Sequence, residues 1–323
     1  MDDTTEENSQ KVSRGLCNLP SGSTLISDPE EEVFLLYTSL AAKNVQDSSH
    51  AFRGLGYLDS HRDILTLEFT VQIPGSRPDA GQSRTRRKAI KKKIEEKTIE
   101  VQLAQDKTAL HSRKGDTGSV LWRASMEFTQ LILQQYHSRS PESLLDVAKL
   151  ADAHILELGA GTGLLSILLS PLVRHYTVTD IDALIPLISK NLVLNSLLRD
   201  KGSGHFTGDT ITVEALDWIA LHKAPASSRR TLFPYAPIDL LLVVDCIYHP
   251  SLLPALVETI DYLATPNYTA VLVVVELRAE DVVRDFLELW SGAGEGCWEI
   301  WHAQNVMDGP YAVWLGWKKL PNK

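Results

Sequence analysis

Cysteine is scarce in this 323-residue chain, which contains three copies far apart in sequence. Cys17, Cys246 and Cys297 form no C-x-x-C pair, so we expect neither a disulfide framework nor a zinc site. This usage is typical of a protein in a reducing compartment.

A long hydrophobic run is also missing. Stretches such as LLLVVDCI are too short to span a membrane or carry an acid within them. The N-terminal MDDTTEENSQ is acidic and polar, unlike a signal or transit peptide. We therefore expect a cytoplasmic protein, also found in the nucleus, with no membrane partner.

Positive charge is in deficit, because 32 lysines and arginines face 41 aspartates and glutamates and leave a formal net charge of -9. A nucleic-acid coat needs a basic surface, so no direct nucleic-acid substrate is expected. The exception is RTRRKAIKKK at 84–93, within an insertion at 76–96. It is interpreted as an RNA contact or nuclear-import patch, or as a solvated insertion in a hairpin. The second interpretation is favoured.

Hydrophobic patterning divides the chain into three parts. Residues 1–26 lack periodicity and are expected to form a flexible tail. Residues 27–118 are predicted to be an extension that contains a helix, capped by Ser27, and a β-hairpin. Residues 119–323 form the main domain. Strict alternation indicates the first hairpin strand, whose apolar face is Leu65, Leu67, Phe69, Val71 and Ile73.

Strand and helix patterns alternate along the main domain and end in a hairpin. The runs IDLLLVVDCIY and YTAVLVVVEL are typical of strands that are buried on both faces of a parallel sheet. This order predicts an α/β fold with a Rossmann-like, doubly wound, seven-stranded sheet, mostly parallel with one reversed strand.

A glycine-rich turn follows the first strand of the main domain, in HILELGAGTGLLSILLS at 154–170. Gly159, Gly161 and Gly163 have the spacing G-x-G-x-G, whereas a dinucleotide motif needs a glycine where Leu164 stands. Glu157, two residues before the turn, favours a cationic ligand without a pyrophosphate. S-adenosylmethionine has this chemistry, although a purely structural turn would also use glycines.

Two later positions predict where an adenosine would lie. Asp180 ends the second strand, where its carboxylate can accept hydrogen bonds from both ribose hydroxyls, as it would in a dehydrogenase. Asp217 and Trp218 end the third strand, where they would contact the adenine amine and the adenine face. The alternative for Trp218 is an ordinary core position.

Six segments between Gly115 and Lys318 carry a family resemblance: GSVLW, ILELGAGTGLLS, VTD, KNLVLN, LDW and VVDCIY. In order and spacing they resemble the class I, seven-stranded S-adenosylmethionine-dependent methyltransferases. The similarity is greatest to the protein-lysine branch and to its fungal members that methylate ribosomal proteins. It implies a monomeric protein-lysine N-methyltransferase whose substrate is a ribosomal protein or another translation component. The basic insertion is not part of the branch's pattern.

The resemblance also implies residue roles and no metal. Asp245 and Tyr248 match the branch's D-x-x-Y motif and would orient the lysine amine, which must lose its proton (pKa about 10.4) before it attacks. Alternatively, Asp245 caps the following turn and Tyr248 is a core aromatic. The neighbouring His249 is interpreted as a proton shuttle or as a structural residue, and the second interpretation is favoured. The residues that would hold the cofactor are Trp122, Gly159, Ala160, Gly161, Asp180, Trp218 and Val244, the last through its backbone.

Three other functions stay open at this point. Methyltransferases of nucleic acids or of glutamine place two prolines and an aromatic after the fourth strand, where this chain has DCIY. A non-catalytic adaptor would keep the fold, but here the glycine turn and the ribose acid are both intact. A small-molecule methyltransferase would usually add a lid, whereas the N-terminal strands indicate a platform beside an open groove.

Overall fold

The computed structural model describes residues 13–46, 56–58, 62–74, 94–106, 117–140, 142–196 and 210–320. The basic stretch 84–93 lies outside these residues, and the structure does not choose between its two interpretations. Within the described part of the chain, no helix combines the length and the apolar character needed to cross a membrane.

The strands are short apart from those of the hairpin predicted in the extension. In chain order they are β1 (Ser13–Arg14), β2 (Cys17–Asn18), β3 (Thr24–Leu25), β4 (Ile64–Pro74), β5 (Ile94–Ala104), β6 (His154–Leu158), β7 (His175–Asp180), β8 (Ile211–Ala215), β9 (Leu240–Val244), β10 (Ala270–Glu276), β11 (Trp298–His302) and β12 (Tyr311–Lys318).

The helices alternate with the strands of the main domain, as the sequence predicts. They are α1 (Pro29–Gln46), α2 (Arg123–Ser138), α3 (Leu164–Leu169), α4 (Ile185–Ser196), α5 (Trp218–Lys223), α6 (Ala226–Leu232), α7 (Leu253–Leu263) and α8 (Glu280–Gly296).

The central sheet of the described residues has the order β3-β11-β12-β10-β9-β6-β7-β8. Strands β10, β9, β6, β7 and β8 are parallel to one another, and β12 runs antiparallel to β10 and β11. The predicted fold class is therefore confirmed, including the seven strands and the reversed strand. Strand β3 adds an eighth strand, which pairs with the outer edge of β11.

The flexible tail predicted for residues 1–26 is wrong for residues 13–26. Cys17 is fully buried, forms a bridge with Leu145, and packs beside Leu16 in the core. Strand β3 pairs with Trp301 and His302 of β11. The sequence pattern missed these contacts because two-residue strands are too short to show a period. Strand β3 is held by the outer edge of β11, which is distant in sequence and offers unpaired backbone groups.

The predicted hairpin is formed by β4 and β5, paired in register from Ile64 opposite Ala104 to Pro74 opposite Ile94. Residues 94–96, which the sequence places in the insertion, thus belong to β5. Phe69 and Val71 are buried while their neighbours are exposed, which confirms a half-buried strand. This face packs on α2 and α3, so the extension shares a core with the main domain.

Side-chain amides of α4 bind the free edge of β5. Asn191 accepts from the Ala104 amide through Oδ1 at 2.7 Å, and its Nδ2 donates to the Ala104 and Thr162 carbonyls at 3.0 and 2.9 Å. Asn195 repeats the pattern on Gln102, at 3.0 and 2.7 Å. The two asparagines are four residues apart and therefore share one face of the helix, which lets them stand in for a neighbouring strand.

The opposite edge of the hairpin is bound in the same way by α2. Gln134 accepts from the Gln72 amide at 2.9 Å and donates to its carbonyl at 3.2 Å, and Gln130 donates to the Thr70 carbonyl at 2.8 Å. The hairpin is thereby held between two helices by its backbone as well as by its apolar face.

Replacing Asn191 with alanine is expected to lower the free energy of unfolding by about 2 kcal/mol or more, because a buried amide and two buried carbonyls lose their partner. The matched control is Lys190→Ala, which removes an exposed side chain from the same helix and should cost less than about 0.5 kcal/mol. Urea denaturation measures both. Equal, small changes in the free energy of unfolding of the two variants would mean that the hydrogen bonds of Asn191 do not stabilise the fold.

Candidate functional site

A pocket of about 460 Å³ lies at the carboxyl ends of the parallel strands. The chain proceeds from β6 to β7 and β8 on one side, and β9 and β10 lie on the other, so the strand order reverses between β6 and β9. Ligands of doubly wound sheets bind at this point. All nine site residues implied by the sequence line the pocket: Trp122, Gly159, Ala160, Gly161, Asp180, Trp218, Val244, Asp245 and Tyr248.

The glycine turn forms one wall of the pocket and has no room for side chains. Gly159 and Gly161 have φ angles of 64° and 57°, a left-handed conformation that favours glycine. A Cβ on Gly159 would lie 2.7 Å from Cys246 Sγ, and one on Gly161 would lie 2.9 Å from the Gly118 carbonyl oxygen. The turn therefore presents bare backbone to whatever the pocket binds.

Asp180 ties the turn to the end of β7. Its Oδ2 accepts from the Gly161 amide and its Oδ1 accepts from the Ile181 amide, both at 2.7 Å. Asp180 lines the pocket, as the sequence predicts, and each carboxylate oxygen can accept more than one hydrogen bond, so ribose hydroxyls can bind the same group. The hydrogen bond of Asp180 with the Gly161 amide was not predicted.

Trp218 begins α5, and Asp217 caps this helix by accepting from the Ile219 and Ala220 amides at 2.8 and 3.2 Å. A Cβ on Gly159 would lie 3.1 Å from Cζ2 of the Trp218 ring. Trp218 Nε1 is buried and has no hydrogen-bond partner among the described residues. A buried donor normally finds an acceptor, and an adenine nitrogen would supply one. This position fits a ligand contact better than an ordinary core role.

Trp122 forms a wall that the N-terminal extension helps to build. Its Nε1 donates to the Thr117 carbonyl at 2.8 Å, and the guanidinium carbon of Arg278 lies 5.0 Å from its ring centroid. Tyr57 contacts the ring edge-on at a centroid distance of 6.2 Å. Neither Tyr57 nor Arg278 was predicted from the sequence to lie near the pocket. Arg278 could have been found as a charged residue just beyond the apolar strand β10.

Asp245 has both carboxylate oxygens engaged. Arg278 donates to it twice, from Nη1 to Oδ1 at 2.9 Å and from Nη2 to Oδ2 at 2.7 Å. Asp245 has a left-handed φ of 59°, and its amide donates to the Val274 carbonyl at 2.7 Å. Neither sequence interpretation foresaw this pair, because the partner lies 33 residues away. A direct contact between Asp245 and a lysine amine would have to share the carboxylate with Arg278.

Tyr248 and His249 lie at the opening of the pocket. Tyr248 is 37% exposed and lines the pocket, so it is not a core aromatic. His249 Nδ1 accepts from the Ser251 amide at 3.3 Å and contacts the Ser251 hydroxyl at 2.9 Å, which caps the turn that precedes α7. The structural interpretation of His249 is therefore the one that the geometry favours.

Glu157 does not face the pocket as the sequence predicts, but lies beside Tyr176. Its carboxylate accepts from the Tyr176 hydroxyl at 2.8 Å, and it is not among the described residues that line the pocket. Burial raises the pKa of Glu157 to about 8, with the nearby Asp180 acting in the same direction and the Tyr176 hydrogen bond opposing both. Any effect on a cationic ligand is long-range.

Asp180→Ala is expected to weaken binding of S-adenosylhomocysteine by about 2 kcal/mol, or roughly 30-fold, because charge-assisted hydrogen bonds are lost. Isothermal titration calorimetry measures the dissociation constant. Asp182→Ala is the matched control, since this acid is exposed and two residues along the chain. Unchanged affinity in the Asp180 variant would place the ribose contact elsewhere.

Glu157→Gln is expected to remove a pH dependence of stability. The folded-state pKa of about 8 is above the ordinary 4.5, so the group's stabilising contribution is fully present below pH 4.5 and is lost as pH rises through about 8. The free energy of unfolding of the wild type should therefore fall relative to Glu157→Gln over this range. Denaturation curves at several pH values test this. Parallel pH profiles would mean that Glu157 is ionised throughout.

Comparisons with known proteins agree with this geometry. The sequence model described as lysine methyltransferase matches residues 102–293. A Schizosaccharomyces pombe protein named diaminohydroxyphosphoribosylamino-pyrimidine deaminase is 32% identical over 216 residues, which are 65% of this chain and 46% of that protein. The Bos taurus protein-lysine methyltransferase METTL21E is 31% identical over 169 residues, which are 50% and 49% of the two chains.

A third relative, the Xenopus tropicalis EEF1A lysine methyltransferase 3, is 29% identical over 134 residues, which are 42% of this chain and 51% of that protein. The chain thus spans about half the length of the curated relatives it matches. The match to the family's sequence model covers more than half of the chain, in agreement with the predicted family. The chain belongs to the lysine methyltransferase family.

Proposed function

We propose that this protein transfers a methyl group from S-adenosylmethionine to the ε-amine of a lysine in a protein of the translation machinery, such as a ribosomal protein. Family membership and the pocket at the strand reversal support protein-lysine methylation. The relative named for lysine methylation of EEF1A supports a translation component as substrate. We further propose that it works as a cytoplasmic and nuclear monomer.

The single observation that carries the proposal is the convergence of every implied site residue on one pocket. Bare glycine backbone, a carboxylate that lines the pocket and an unpaired indole donor suit the methionine part, the ribose and the adenine. In this proposal Gly159, Ala160 and Gly161 contact the methionine part and Asp180 the ribose, while Trp218 and the Val244 backbone contact the adenosine. When bound, S-adenosylmethionine supplies an electrophilic methyl group next to a positive charge.

The acceptor lysine must lose a proton before its nitrogen lone pair can form the new N–C bond. At pH 7 about one lysine in a few thousand is neutral. An apolar entrance and a nearby positive charge both favour the neutral amine. Tyr248 lies at the mouth of the pocket, where its hydroxyl can orient the amine. Alignment then supplies most of the acceleration, because the displacement needs the amine in line with the bond that breaks.

Labelling identifies the substrate. Purified protein is incubated with a cell extract and with S-adenosylmethionine whose methyl group is deuterated, and mass spectrometry locates the label. The control is Gly159→Val, whose side chain would occupy space next to Cys246 and Trp218. We expect labelled methyl-lysine on a translation protein with the wild type alone. Label on RNA or on a small molecule, or on nothing, would contradict the proposal.

Tyr248→Phe is expected to lower the single-turnover rate on that substrate about ten-fold or more, while the affinity for S-adenosylhomocysteine changes less. The ring is kept and only the hydroxyl is removed. The matched control is Tyr268→Phe, because Tyr268 is also exposed but donates to Asp239, which precedes β9 at the opposite edge of the sheet. Wild-type turnover in both variants would leave Tyr248 without a role in orientation.

A further inference from the structure

Three charged residues form a cluster behind the acceptor side of the pocket, which we call the Arg278 cluster: Asp245, Glu276 and Arg278. Arg278 donates twice to Asp245 and also donates from Nη2 to Glu276 Oε2 at 2.7 Å. The carboxylate side chains are 2% and 5% exposed, and the guanidinium is 27% exposed. The two ion pairs of Arg278 are therefore largely shielded from solvent.

Arg278 reaches the pocket through two residues that line it. Asp245 and Trp122 are lining residues, whereas Arg278 and Glu276 lie behind them. The guanidinium lies over the Trp122 ring, at the distance typical of a cation–π contact. A Cβ on Gly56 would lie 2.3 Å from Arg278 Nη2, so the extension closes over the cluster and holds the guanidinium in place.

The cluster sets the charge next to the acceptor. Two carboxylates and one guanidinium leave a formal charge of -1, and removal of Arg278 would leave -2. Other charged or titratable groups lie nearby. Tyr37 on α1 interacts with Arg278 and also with Glu280 and Asp281 at the start of α8. On the pocket side such groups include Asp180, Asp217 and His249. Most of these groups are acids, and Arg278 is a cation that offsets them through its two ion pairs.

We propose that Arg278 is a positioning residue that neutralises Asp245 and fixes Trp122, so that the pocket favours a neutral amine over an ammonium at the acceptor position. This inference rests on the proposed function. The ammonium form of lysine is stabilised by an uncompensated carboxylate nearby and is not a nucleophile. With Arg278 bound to Asp245, the carboxylate stays near the reaction without holding the amine in its protonated form.

The test uses a probe that needs no protein substrate. Sinefungin is an analogue of S-adenosylmethionine that carries a protonatable amine in place of the methyl group. S-adenosylhomocysteine has no group there. The ratio of the dissociation constant of S-adenosylhomocysteine to that of sinefungin therefore reports how well the acceptor side of the pocket tolerates a positive charge. General damage to the cofactor site weakens both ligands and cancels in the ratio.

Calorimetry at pH 7.5 on Arg278→Met should show this ratio rising about ten-fold over the wild type, since one positive charge is lost near the amine. Asp245→Asn should lower it, and Arg278→Lys should restore it to near the wild-type value because the charge is kept. Tyr268→Phe is the control that should leave it unchanged. An unchanged or lower ratio in Arg278→Met would overturn the proposal. If that variant fails to fold, an unchanged ratio in Asp245→Asn would do so.

A second readout follows the chemistry. The pH at which the single-turnover rate is half-maximal should shift upward by about one unit in Arg278→Met and downward in Asp245→Asn. A merely structural role would lower the rate equally at every pH, and this outcome would overturn the inference. Wild-type protein that methylates no lysine would instead overturn the proposed function, while the ligand ratio would still decide the role of Arg278.

Discussion

The parallel pairing of β6 with β7 on one side and β9 on the other is the constraint on which the site depends. Parallel strands end at the same edge of a sheet, so residues that are far apart in sequence meet there without any local signal between them. The glycine turn, Asp180 and Asp245 each follow or end one of these three strands. Strands β6 and β9 are buried throughout and β7 is buried beyond His175, which lets hydrophobic packing hold polar groups at fixed positions.

The extension is held to this edge by backbone contacts as much as by apolar ones. Two strands alone are marginal in water and leave both edges unpaired. Here Asn191 and Asn195 satisfy one edge and Gln130 and Gln134 the other. One of these contacts also reaches the glycine turn, since Asn191 donates to Thr162. The hairpin and the glycine turn are therefore joined through the hydrogen bonds of Asn191.

Charge is buried at the site in two different ways. Glu157 has a neutral partner, the Tyr176 hydroxyl, and desolvation raises its pKa to about 8. Asp245 has a cationic partner, Arg278, that donates two hydrogen bonds to it in a shielded place. Burial opposes ionisation of Arg278, but the hydrogen bonds and charges of Asp245 and Glu276 raise its pKa overall. The same fold thus buries one carboxylate beside a neutral hydroxyl and another beside a guanidinium.

The sequence by itself determined the fold class and the strand that the glycine turn, Asp180 and Asp245 follow or end, because these depend on local periodicity and on glycine spacing. Only the tertiary structure decided which groups face one another. Arg278 pairs with Asp245, and Gly56 closes over that pair. Cys17 packs in the core and β3 pairs with a distant sheet edge, where the sequence predicted a tail. Glu157 likewise accepts from Tyr176, which lies on the neighbouring strand β7. A local pattern records which face of a helix or strand is buried, but the partner of a buried charge depends on strands brought together from elsewhere in the chain.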